Sequence, residues 1–189
     1  MGKHLTYLLL LWVIFCAGCT RHQAYPEVIQ RAESCMDTHP DSALHYLSAY
    51  ADSIGMQSEE TRMYYHLLTL QAKDKLYMKP TSDSLINRIM AFYDETDDKD
   101  KQMLAYYYQG SVYRDLNDAP RALKAFQQVL QLGEGYPPCD LFARTYNQMG
   151  TLFAYQGLYD ESLEANKKAA EQFILPTSLK PILPKVNYL

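Results

Sequence analysis

The sequence predicts an all-α chain of stacked helix pairs, and three observations lead there. Helix breakers are sparse, with 8 glycines and 9 prolines among 189 residues. Apolar residues recur at helical spacing through most of the chain. Two stretches, residues 103–126 and 143–166, can be laid over each other position by position. A single helix pair cannot bury its apolar stripe alone, so repeated pairs must stack to form a core. The 17 tyrosines, against 6 phenylalanines and 1 tryptophan, suit helices whose rings pack while their hydroxyls reach outward.

Composition narrows the function. A net charge of −4 leaves no basic face to neutralise phosphates, so nucleic acid is not an expected partner. A charged fraction of 21% argues against both a polytopic membrane protein and a disordered chain.

The first 18 residues read as an export signal. Lys3 supplies a positive charge, and an apolar run from Tyr7 to Ala17 follows. Eleven helical residues rise only about 16 Å, short of a membrane crossing. Ala17-Gly18 before Cys19 provides small residues at a cut site. This segment resembles the bacterial lipobox, in which the cysteine after the cut is lipidated. Cys16 stands where that motif usually carries an aliphatic residue. The resemblance implies lipidation at Cys19, a tether over residues 19–26, and residence in the bacterial cell envelope facing outside the cytoplasm. A plain cleaved signal and an uncleaved anchor are the other readings.

Four helix pairs are expected over residues 27–173. In the first, Val28, Ile29, Ala32, Cys35 and Met36 form one stripe, and Ala43, Leu44, Leu47 and Tyr50 the other. Pro40-Asp41-Ser42 marks the start of that second helix. The second pair places Tyr64 at an aromatic position and Leu68 where a glycine is expected, then a helix from about Asp83 to Tyr93. The acidic run 94–100 lacks the glycine and the closing glutamate of a calcium loop, and it solvates a linker and caps the next helix.

The third and fourth pairs carry the repeat. Tyr106 and Tyr146 lie four residues before Gly110 and Gly150, and Tyr113 and Phe153 three after. Ala122 and Ser162 follow at matching positions, then Phe126 and Asn166, with Ala169 late in the fourth unit. Each glycine belongs where the two helices approach most closely. The pattern resembles the tetratricopeptide repeat (TPR), a helix–turn–helix unit of aromatic, Gly, aromatic, Ala signature. Ser162 and Asn166 depart from it. The resemblance implies a right-handed α-solenoid of antiparallel helix pairs with a concave groove lined by the first helices. Carried over position by position, the groove residues are Arg62, Tyr65, Thr69, Ala72 and Lys73 in the second unit. In the third they are Leu104, Tyr107, Ser111, Arg114 and Asp115, and in the fourth Arg144, Asn147, Thr151, Ala154 and Tyr155. Tyr106 is expected inward and Tyr107 toward the groove.

The tail, residues 174–189, holds three prolines among alternating apolar residues, so no helix runs through it. Either it folds back over the last pair or the chain is truncated relative to longer relatives.

Chemistry is scarce. None of the five histidines pairs at helical spacing, no Gly-x-Ser-x-Gly elbow occurs, and Cys35 and Cys139 form no metal motif. His66 reads as a helix-face residue. No enzyme, cofactor, metal or small-molecule substrate is expected. The expected function is a membrane-tethered extracytoplasmic scaffold binding a protein or peptide in its groove. The alternative is the sensor or anchoring portion of a signalling or envelope-assembly system.

Overall fold

The structure, a computed structural model, describes residues 24–174. The export signal, Cys19 with most of the tether, and tail residues 175–189 lie outside the described residues. Eight α-helices fill the described chain: α1 (Glu27–Cys35), α2 (Pro40–Ala49), α3 (Glu59–Lys75), α4 (Ser84–Tyr93), α5 (Lys99–Asp115), α6 (Ala119–Leu132), α7 (Asp140–Tyr155) and α8 (Tyr159–Ile174). They form four antiparallel pairs, as the sequence predicts. Asp98 and Asp118 cap α5 and α6, accepting from the amides of Lys101 and Arg121 at 3.0 Å. In α2 the start differs from the expectation. Pro40 is itself the first helical residue, so Asp41 and Ser42 sit inside the first turn and His39 precedes it.

The pairs stack with a consistent curvature. The first helices α1, α3, α5 and α7 touch one another in succession, while consecutive second helices do not meet among the described residues. An array that is close-packed on one side and open on the other curves toward the packed side. The first helices therefore line the concave face of an α-solenoid. One continuous core runs through it, with Ile29, Leu47, Leu67, Ile89, Tyr108 and Phe126 fully buried.

The turns reveal the true period. Tyr77, Asn117 and Gly157 adopt left-handed φ of 57°, 61° and 77°. Each lies 40 residues after the last, and each follows a first helix. The same backbone bond closes all three turns: Met78 N to Lys73 O at 2.9 Å, Asp118 N to Tyr113 O at 2.8 Å, Leu158 N to Phe153 O at 3.0 Å. This 40-residue period corrects the second unit by two positions. Leu70, not Leu68, stands where Gly110 and Gly150 stand, and His66 rather than Tyr64 matches Tyr106 and Tyr146. Burial agrees with the corrected register, since Tyr65, Ala105 and Thr145 are all buried together.

The glycines behave as the packing argument requires. A Cβ on Gly110 would lie 2.4 Å from the Phe126 ring, so Phe126 is what meets this glycine most closely rather than Ala122. At Gly150 the neighbour is the Asn166 amide, 2.7 Å from the added carbon. Where Leu70 replaces glycine, the helices spread. Packing within a pair is most extensive in α7–α8 and α5–α6 and least in α3–α4.

Candidate interaction surface

The concave face is organised around Arg114. Its Nη2 donates to Asp74 Oδ1 at 2.9 Å, its Nε to Asp115 Oδ1 at 2.8 Å, and its Nη1 to Gln148 Oε1 at 2.8 Å. These partners sit on α3, α5 and α7, so one side chain ties three first helices together. Burial works against the guanidinium charge, but the Asp115 hydrogen bond and the Asp74 charge hold its pKa above the usual arginine value. Asp74, Arg114 and Ala154 occupy one repeat position, which the corrected register brings into line.

Two cavities flank this knot. One, about 550 Å³, is lined by Lys79, Arg114, Gln148, Thr151 and Tyr155. The other, about 530 Å³, is lined by Asp37, Lys75, Tyr77, Arg114 and Gln148. The rims carry two rings facing solvent: Tyr77 is 93% exposed and Tyr155 84%.

The residues expected in the groove divide by what lies beside them. Asn147 and Tyr155 are exposed, and Thr151 is half-buried with its hydroxyl donating to Asn147 O at 3.0 Å. Leu104 is half-buried. Arg144 is half-buried, paired with Asp140 at 2.9 Å, its guanidinium 5.3 Å from the Tyr107 ring centroid.

Several expectations change. Tyr65 belongs to the buried set of Ala105 and Thr145, and its hydroxyl donates to Leu47 O at 3.0 Å. Tyr107 is enclosed because α3 and α7 flank its helix on both sides, and its ring packs on Tyr108, Phe126 and Arg144. Ser111 is buried in the same interhelical seam. Tyr106, expected inward, is half-buried and its hydroxyl donates to Asp94 Oδ1 at 2.9 Å, which bridges to the preceding unit. Arg62, Thr69, Ala72 and Lys73 lose their groove assignment with the register, and Tyr64, Leu67, Gln71, Asp74 and Lys75 take those positions.

Asp74, Tyr77 and Gln148 are not among the residues that the sequence motifs point to. The 40-residue spacing of Asp74 from Arg114 was the available signal.

Residues 101–175 match the tetratricopeptide repeat family. The carboxy-terminal two units are tetratricopeptide repeats. Two crystal structures of MamA share the fold of this helical array at a TM-score of 0.50. One is 22% identical over 77% of this chain and 76% of that chain; the other is 21% identical over 82% and 76%. No curated protein matches the chain. Among the described residues no helix is long and apolar enough to cross a membrane, and no three His, Cys, Asp or Glu side chains gather as a metal site. His66 Nε2 lies 3.3 Å from Arg88 Nη2, and Cys35 and Cys139 are free.

Proposed function

We propose that this chain is an extracytoplasmic TPR scaffold, tethered to a membrane through lipid on Cys19, that binds a protein or peptide segment along its concave face and catalyses nothing. The observation that carries the reading is the pair of exposed tyrosines, Tyr77 and Tyr155, on the rims of the cavities either side of Arg114. Tyrosine offers a large contact area for two rotatable bonds, and a rim of such rings around polar cavities suits an extended peptide. The charged groups between the cavities are already committed to one another, since Arg114 holds Asp74 and Asp115. That arrangement fixes the shape of a binding surface rather than poising an acid or base.

The test compares partners recovered from membranes by the wild type and by Tyr77→Ala/Tyr155→Ala. Neither ring supports the core, so the variant keeps its helicity and loses the partner at least tenfold. Equal recovery by both baits removes the concave face from consideration. For the tether, Cys19→Ser is expected to move the protein from the membrane to the soluble fraction, and continued membrane retention contradicts lipidation.

A further inference from the structure

The outer, convex side of the array carries a second groove with a different chemistry. Between the second and third units, the gap on this side is bridged. Tyr113 Oη donates to Asn87 Oδ1 at 3.1 Å, Arg121 pairs with Asp83 at 3.1 Å, and the Arg121 guanidinium lies 4.3 Å from the Tyr113 ring centroid. One period later the bridging groups are gone. Phe153 replaces Tyr113 and lacks the hydroxyl, and Glu161 replaces Arg121. Among the described residues no hydrogen bond or ion pair joins α6 to α8.

What remains is a cavity of about 440 Å³ with an apolar floor of Tyr146, Met149, Phe153 and Ala165. Its rim holds three carboxylates, Asp160, Glu161 and Glu164, against one ammonium, Lys168. Tyr146 also lines a smaller cavity of about 230 Å³ together with Leu130, Phe142 and Gln172. The two cavities make one groove that runs beside α8 from its end back to its start.

We propose that residues 175–189 of this same chain occupy that groove. The segment leaves the array at the end of α8, beside Gln172, where the groove begins. From Gln172 back to Asp160 the helix rises about 18 Å, a distance that six extended residues cover. Fifteen residues are available, enough for a reversal at Pro176 and a return along the helix. The chemistry matches as well. The segment carries Lys180 and Lys185 and no acidic residue, and Leu179, Ile182, Leu183 and Val186 lie between and beside them. Lysines meet the acidic rim while the apolar residues cover the floor. The segment's three prolines restrict the backbone and so lower the entropy that docking would cost.

Zero-length carbodiimide coupling of the full-length protein, followed by peptide mass spectrometry of the monomer, tests this. Amide links are expected from Lys180 or Lys185 to Asp160, Glu161 or Glu164. The variant Ile182→Ser/Leu183→Ser keeps every charge and leaves the array untouched, and its link yield should fall at least about tenfold, the loss expected when even one apolar side chain no longer buries. Absence of these links overturns the proposal. Links confined to covalent dimers give the groove to a second copy and overturn it too. An unchanged yield in the double-serine variant shows a tail that is only within reach, and equally refutes docking.

Discussion

Asp74 and Arg114 occupy the same position in consecutive repeats, 40 residues apart, and their side chains meet at 2.9 Å. A repeat array usually places like residues at like positions. Here two consecutive repeats place opposite charges at one position, and Gln148 extends the chain of contacts to the last first helix. Because the arginine spends all three of its nitrogens on three helices, it sets the spacing of the units as well as their attraction.

Arg114→Ala should therefore destabilise the array by about 2–3 kcal/mol, since it leaves two half-buried carboxylates facing each other without a cation. Arg114→Lys restores charge but cannot reach three helices, and its loss should fall between wild type and alanine. Urea unfolding followed by circular dichroism measures both. An alanine variant as stable as wild type would show that the knot contributes only surface electrostatics.

The two repeat glycines should respond differently to the same substitution. Gly110→Ala drives a carbon to 2.4 Å from the Phe126 ring, which is fully buried, so overpacking of about 1–3 kcal/mol is expected. Gly150→Ala meets only the end of Asn166, an exposed and movable side chain. The helix gains about 0.5–1 kcal/mol from alanine over glycine, and that offsets most of the contact. Thermal melts of the two variants should separate clearly, and Phe126→Leu should relieve part of the Gly110→Ala loss.

The tyrosines predict alkaline instability. Burial raises the phenols of Tyr93 and Tyr108, with Asp98 adding to the first and Arg144 opposing in the second, and Tyr106 is pushed up to about 12 by burial and its bond to Asp94. A folded-state pKa above the unfolded value gives stability that is complete below pH 10 and is lost as pH rises toward the folded value. Each of the buried pair, Tyr93 and Tyr108, should then remove up to about 1.4 kcal/mol per pH unit above 10. Phenolate absorbance should lag behind that of a denatured chain at pH 11 and then rise together with the loss of helix. Simultaneous titration of all tyrosines before unfolding would contradict the burial.

His66 works in the other direction of pH. Burial and the charges of Arg88 and Arg62 lower its pKa, so its contribution is present above about pH 6.5, the unfolded value, and is lost as pH falls through the folded one. His66→Gln should flatten the acid limb of the stability profile near that range. An identical acid limb in the variant would assign it to carboxylates alone.

The helices and their pairing were legible because breakers, caps and stripes act locally. Asp98 and Asp118 announce their helices within four residues. The third and fourth units could be aligned because glycine and aromatics mark them. The second could not, since Leu70 fills the glycine position and a longer turn, residues 76–83, interrupts the pattern. Burial of the groove candidates depended on something no residue carries by itself. Tyr107 and Asn147 share a repeat position, yet one is enclosed between two neighbouring first helices and the other is exposed. Nothing in the sequence near Tyr77 announced its left-handed backbone, for the feature follows from how three turns superimpose.

Tyr77 gives the sharpest test of function against stability. Among the described residues only it and Asn117 hold a positive φ without being glycine, and asparagine is suited to that conformation whereas tyrosine is not. At the matching turn the chain uses Gly157. The Tyr77 ring, almost fully exposed, returns no packing energy for the strain. Tyr77→Gly should thus stabilise the protein by about 1 kcal/mol, raising Tm by about 2–4 °C, while binding of the concave-face partner weakens. Gly157→Ala, the reverse change at the equivalent turn, should cost about 1 kcal/mol and leave the Tyr77 rim intact. A Tyr77→Gly variant that gains stability and binds as before would mean the ring has no part in recognition.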